Sequence, residues 1–285
     1  MIDYHIHIER GPYNLEWLKR FWFQAESRGI TEIGVTEHTH HFYEFRTVYE
    51  HLLQTTEPDA DTSSWLGDYF QHSIEEYLEL LEAGKKAGIP LKAGLEADYV
   101  PGKEREIEAL LDEYRFDFVL GSVHFLDSWS FDIKPTMGWP GKDVDKVYLA
   151  YIDRVKSMAQ SGLFDVLAHL DVIKVFGHKA QADLGGEWTE VLQLIAQSDL
   201  VIEVSTAGMR KLVGEIYPHP SLIKGAARLG IPITFASDAH NPEDVGDRWK
   251  EAVNVARSLG HSRYCTFTER RRTEHPLPSF DSTAL

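Results

Sequence analysis

Apolar residues recur along this chain in short β-branched runs, and between the runs lie longer stretches with the 3.6-residue period of amphipathic helices. The runs predict strands over Ile2 to Ile6, Glu32 to Thr36, Leu91 to Leu95, Phe116 to Gly121, Asp165 to Ala168, Leu200 to Val204 and Ile231 to Ala236. The periodic stretches predict helices over Leu15 to Arg28, Ile74 to Ala87, Glu104 to Glu113, Val144 to Ser161, Trp188 to Gln197, Pro220 to Arg228 and Pro242 to Ser258. Gly29, Gly88 and Gly230 each follow a predicted helix and precede a strand, where a left-handed residue ends the helix. Regular β-α alternation implies a parallel sheet, and seven such units predict one closed or nearly closed (β/α)7 barrel of the α/β class. Two stretches fall outside the repeat. Residues His40 to Ser73 (40–73) form a long insertion of the kind that covers an active site, and residues 269–285 have the polar, proline-punctuated character of a tail beyond a barrel domain spanning 1–268.

Composition narrows the class. The chain has 285 residues, 43% hydrophobic and 26% charged, which suits a folded protein with a sizeable core. Its apolar runs are strand-length, far short of the roughly 20 residues that a membrane span needs. Residues Met1 to His5 carry neither a basic stretch nor a secretory core, so the start is read as the first strand and the cytoplasm as the expected compartment. A single cysteine, Cys265, forms no internal disulfide. The formal charge of −16 disfavours nucleic acid and anionic membrane as partners.

Fourteen histidines raise the question of metal, and their positions answer it. Chemistry in parallel barrels collects at the C-terminal strand ends. Those ends read His5-Ile6-His7, Thr36-Glu37-His38, Leu95-Glu96-Ala97-Asp98, Ser122-Val123-His124, Ala168-His169-Leu170-Asp171, Glu203-Val204-Ser205 and Ser237-Asp238-Ala239-His240. Residues two apart on a strand share a face, so His5 with His7, and Asp238 with His240, can each serve one ion. Imidazole mixed with carboxylate suits manganese, iron or zinc better than magnesium or calcium. His51, His72, His178, His219, His261 and His275 are expected as solvated side chains. His40 and His41 fit either a loop or the mouth of the site, and Glu37 and Asp98 either orient ligands or stand as loop carboxylates.

This order of motifs resembles the polymerase and histidinol phosphatase (PHP) family, from Ile2 to about Ser258. The resemblance implies a distorted seven-stranded barrel with two or three divalent ions. It implies that His5, His7, Glu96 and Asp238 hold one ion, that Glu96 bridges to a second held by His124 and His169, and that His38 and His240 belong to a third. Many members place a histidine where Tyr13 stands, so Glu9 is a candidate third-metal ligand in its stead. The segments Glu203 to Lys211, Gly214 to Pro218 and His169 to Lys174 resemble the histidinol-phosphate phosphatase branch, with Ser205 where asparagine is common. That branch implies a metal-dependent phosphomonoesterase of histidine biosynthesis, acting on L-histidinol phosphate by attack of a metal-bridging hydroxide.

Within this reading Arg210 is expected to clamp the phosphate, with Lys174 and Lys211 as weaker candidates, because a guanidinium presents paired donors to phosphate oxygens. Asp238 or His240 would protonate the leaving alkoxide. Glu37, Tyr43, Phe45 and Trp139 are candidates to meet the substrate's amine and imidazole. The metal motifs also fit a phosphodiesterase or exonuclease of the same family, a phosphatase for another small ester, an amidohydrolase, or a metal-binding barrel without turnover. The acidity of the chain, the Glu96 bridge and the Arg210 segment favour the phosphomonoesterase.

Overall fold

Each apolar run predicted as a strand forms one, and all seven pair in parallel. The computed structural model describes residues 1–54 and 60–279. In chain order the strands are β1 (Ile2–Ile6), β2 (Glu32–Val35), β3 (Leu91–Asp98), β4 (Phe118–Ser122), β5 (Phe125–Leu126), β6 (Trp129–Ser130), β7 (Val166–Leu167), β8 (Val201–Ser205), β9 (Ile233–Ala236), β10 (Arg263–Thr268) and β11 (Arg271–Pro276). The main sheet runs β1-β2-β3-β4-β7-β8-β9. Its first and last members meet: Ile6 bridges Ala239, His7 N donates to Ala239 O at 2.8 Å, and Ala239 N donates to His5 O at 3.2 Å. The result is the expected seven-stranded barrel, nearly closed.

Helices Leu15–Ser27, Ile74–Lys86, Glu104–Glu113, Val144–Gln160, Gly185–Ala196, Pro220–Leu229 and Trp249–Ser258 surround it. Their starts are chemically marked: Asn14 accepts from Trp17 N, and Ser73 with Glu76 forms a capping box. The last helix was predicted from Pro242. Gly246 and Arg248 adopt positive φ, so the chain makes one 3-10 turn at Pro242–Asp244 and begins the helix only at Trp249. β3 runs three residues past its predicted end because Glu96, Ala97 and Asp98 stay paired with Leu120, Gly121 and Ser122. That pairing carries Glu96 to the mouth.

Side chains fill the barrel. Tyr4 stacks on Phe118 with centroids 4.9 Å apart, among Ile2, Leu120, Val166, Ala168 and Val201. Gly34 and Gly94 make room for that ring, since a Cβ would stand 2.6 Å and 2.8 Å respectively from Phe118 Cζ.

Residues 269–285, expected as a tail, are structured over much of their length. β11 pairs antiparallel with β10, and the hairpin turns Cys265 and Phe267 into the same core that fills the barrel. Arg270 fastens the turn, with Nε donating to Asp165 Oδ2 at 2.9 Å and Nη2 to Leu163 O at 2.7 Å. Only every second residue of β10 is buried, so its apolar signal is short and the charges of Glu269 to Arg272 obscure it. Residues 280–285 of the expected tail and 55–59 of the insertion lie outside the described residues. The rest of the insertion folds as short 3-10 turns, Glu50–Leu53 and the helix Ala60–Gly67. No described helix is long and apolar enough to cross a membrane.

Candidate metal centre

Glu96 occupies the middle of the C-terminal mouth. Its Oε2 lies 2.7 Å from His38 Nδ1, 3.2 Å from His5 Nε2 and 3.4 Å from His7 Nε2. Its Oε1 lies 3.0 Å from His169 Nε2 and 3.6 Å from His124 Nε2. Asp238 Oδ1 closes the ring at 3.4 Å from His7 Nε2 and 3.3 Å from His240 Nε2. All eight expected ligands therefore converge, from six different strand ends. Their donor atoms form overlapping sets within 4.8 Å: His5 with His7 and Asp238, His5 with Glu96 and His169, His38 with Glu96 and His124, and His7 with His38 and His240.

The donor atoms fit cations. His5 Nε2, both ring nitrogens of His7, His38 Nδ1 and Glu96 Oε2 are buried and make no well-directed hydrogen bond, although they crowd together at ion-pair distances. Each such group costs about 1–3 kcal/mol if left unpaired, so a cluster of them inside a well-packed barrel calls for a ligand. Burial opposes charge on the imidazoles, yet Asp98 and Glu96 push His124 up to about 10, and Asp238 and Glu9 push His240 up to about 9. Divalent ions would displace those protons. Two of the ligands, His169 and Asp238, have positive φ, 23° and 50°, a backbone conformation that L residues rarely adopt.

A second layer of carboxylates aims the rings. His5 Nδ1 meets Glu203 Oε2 at 2.7 Å, His124 Nδ1 meets Asp98 Oδ1 at 2.8 Å, and His240 Nδ1 meets Glu9 Oε1 at 2.8 Å. Tyr49 Oη donates to Asp98 Oδ2 at 2.7 Å. Asp98 is thus an orienting group. Glu9 Oε2 and Glu37 Oε2 are buried without partners, and Glu9, Glu37 and His7 form a further potential ligand group where the third metal was expected. Tyr13 stacks on His72 at 4.0 Å, and its buried hydroxyl faces the carboxylates of Glu37 and Glu9.

A cavity of about 530 Å³ opens over the cluster. The insertion contributes His40, His41, Trp65, Asp68, Tyr69 and His72 to its wall, and the segment after β6 contributes Asp132. His72 is therefore part of the mouth and not a solvated bystander, and His261 is buried against Ile223 O. Arg10 and Lys211 supply the guanidinium and the ammonium on the described wall.

Arg210 does not line this cavity. Its Nη2 donates to Ser237 O at 2.6 Å, close behind Asp238, while Nε lies 3.5 Å from Asp244. Lys174 also stands outside, buried against Asp171 at 2.9 Å and Ile216 O at 3.0 Å. Glu37 accepts from Ile8 N beneath the mouth. The candidate substrate contacts Tyr43, Phe45 and Trp139 are elsewhere: Tyr43 bonds Gln71 O, Phe45 lies in the core, and Trp139 donates to Phe131 O. Local sequence gave no signal for the direction in which these side chains turn. Glu203 and Asp132 carried a weak one, a charge set among apolar neighbours.

Comparison with known proteins agrees with this architecture. Residues 3–207 match the PHP domain and residues 223–256 the PHP-associated region. A Deinococcus radiodurans protein named "Probable histidinol-phosphatase" is 38% identical over 202 residues, covering 70% of this chain and 76% of its own. The histidinol-phosphatase of Bacillus subtilis is 27% identical over 268 residues, covering 86% and 95%. Among solved structures, histidinol phosphate phosphatase from Lactococcus lactis, complexed with zinc, L-histidinol and phosphate, superposes with a TM-score of 0.73 at 20% identity over 95% of this chain and 98% of that one. With the barrel, its converging ligands and a family match over most of its length, the chain belongs to the PHP domain family.

Proposed function

We propose that this protein is a metal-dependent phosphomonoesterase that hydrolyses L-histidinol phosphate to L-histidinol and phosphate in the cytoplasm. The observation that carries the reading is the set of buried ligand atoms without a well-directed hydrogen bond at the floor of a cavity whose upper wall is acidic and aromatic. His5, His7, Glu96 and Asp238 would hold one ion, Glu96 with His124 and His169 a second, and His38 with His240 a third, with Glu9 and Glu37 beside it. Two or three manganese, iron or zinc ions would supply Lewis acidity, offsetting phosphate charge and acidifying water near neutral pH.

The chain's own groups do the remainder. Glu203, Asp98 and Glu9 fix the rings of His5, His124 and His240 so that each presents Nε2 to the cluster. The leaving alkoxide takes its proton at the Asp238–His240 edge, where Oδ1 and Nε2 lie 3.3 Å apart. Arg210 holds the backbone of Asp238, a positioning role in place of a direct phosphate clamp. Lys211 and Arg10 meet the anionic end of the substrate, while Asp68 and Asp132 with Trp65 and Tyr69 receive an ammonium and an imidazole.

The test is phosphate release from L-histidinol phosphate beside a panel of other monoesters and a diester, before and after chelation and with manganese, iron or zinc restored. Preference for L-histidinol phosphate, lost on chelation, is expected. Turnover of the diester alone would overturn the assignment.

A further inference from the structure

The Tyr217 hydroxyl is a buried polar group on the cavity wall that the reaction outlined above leaves unused. Tyr217 is 1% exposed, and its Oη has no hydrogen-bond partner. The residue shares the wall with His169, Lys211 and Asp238, and its ring centroid lies 6.4 Å from that of His169. Burial, and after it Asp171, Asp238 and Asp132, hold the hydroxyl in its protonated form, and the last two of these carboxylates share its wall.

Several contacts hold this side chain where it is. Its backbone exchanges two hydrogen bonds with Ser205 at the end of β8, at 2.7 Å and 3.0 Å. Lys174 Nζ stands 5.3 Å from the ring centroid and is itself fixed by Asp171 and Ile216 O. Gly208 lies against the ring, and a Cβ there would come within 2.8 Å of Tyr217 Cζ. A rigidly held phenol with an unspent donor is costly unless something in the cavity accepts from it.

We propose that Tyr217 Oη donates a hydrogen bond to a phosphoryl oxygen of the substrate, an inference that rests on the phosphomonoesterase reading. A phenol keeps its proton near neutral pH, so the hydroxyl acts as donor, and a phosphate dianion offers acceptors only. The metal end of the cavity is where the phosphoryl group must lie. Lys174 and Tyr217 thereby acquire a joint purpose: the buried lysine that misses the cavity braces the ring that lines it.

The experiment is Tyr217→Phe in the metal-loaded full chain, assayed with L-histidinol phosphate and with p-nitrophenyl phosphate, together with the inhibition constant of inorganic phosphate, metal content and Tm. A hydrogen bond to a charged acceptor predicts a loss of about tenfold to a hundredfold in kcat/KM on both esters and phosphate inhibition weakened by about tenfold, with metal content and Tm unchanged. Unchanged phosphate inhibition overturns the proposal. A loss confined to L-histidinol phosphate also overturns it, because only the alkyl leaving group needs a proton donor. A parallel fall in metal content or Tm would make the hydroxyl structural and overturn it as well. If the unsubstituted protein fails to hydrolyse L-histidinol phosphate, the substrate reading falls, while the phosphate arm still decides the role of Tyr217.

Discussion

Glu203 accepts a hydrogen bond from His5 Nδ1 at 2.7 Å, deep beneath the cluster. Its other oxygen accepts the His169 backbone N–H at 3.1 Å, so one buried carboxylate aims two ligands on separate strands. Supporting groups of this kind set ring tautomer and basicity. Glu203→Gln keeps the shape and removes the charge. Metal affinity should fall about 10- to 100-fold, measured by competition with a chromogenic chelator. Affinity equal to that of the parent protein would refute this orienting role.

Chelation should destabilise the fold as well as inactivate it. The buried atoms of His5, His7, His38 and Glu96 that make no well-directed hydrogen bond are stranded when ions leave. Binding to the native state at 100 times Kd contributes about 2.7 kcal/mol, which for a domain near this size is a Tm decrease of roughly 5–10 °C. Scanning fluorimetry with and without chelator reads it, and coincident transitions would count against an ion-bearing cluster.

Burial pushes the Cys265 thiol up to about 12, in the core that closes the lower end of the barrel. In the native protein it should resist iodoacetamide at pH 8 and react fully in denaturant. The raised value has a second effect. The contribution is complete below the unfolded thiol's ordinary pKa of about 8.5 and is lost as pH rises toward the folded value, because the unfolded state then releases the proton first. Stability of the parent should therefore fall more steeply between pH 9 and 12 than that of Cys265→Ala. Parallel pH profiles from denaturant titration would contradict this.

Gly208→Ala tests the packing behind the cavity wall. A Cβ there would stand 2.2 Å from Glu215 O, which is backbone and cannot swing aside. A loss of about 1–3 kcal/mol is expected from denaturant unfolding, typical of overpacking. A neutral result would mean that the Gly214–Pro218 segment yields freely.

The barrel and its ligands were readable because both follow from one periodicity. A strand that is apolar until its last residues announces where it leaves the core, and His5, His7, Glu96, His124, His169 and Asp238 all stand at such exits. Arg210 and Lys174 were harder. Their residue type suits phosphate, but each guanidinium or ammonium turned toward carbonyls and carboxylates that only the tertiary fold brings near. Trp65, Tyr69 and Asp132 reach the cavity from irregular segments, where no period indicates a facing side. The hairpin at the lower end was hidden for another reason: half of its residues face solvent, and four charged residues at its turn read as a tail.

The seam between β1 and β9 has a consequence for how the protein is made. His5 and His7 are synthesised well before Asp238 and His240, yet the potential ligand groups draw on both sides of this seam. On the ribosome the β1 pair gains His38, Glu96, His124 and His169 in turn and lacks its Asp238–His240 side until β9 has been made. Ions held by these groups would complete their ligand shell only when β9 docks against β1, and would then act as a clasp between the two edges of the sheet.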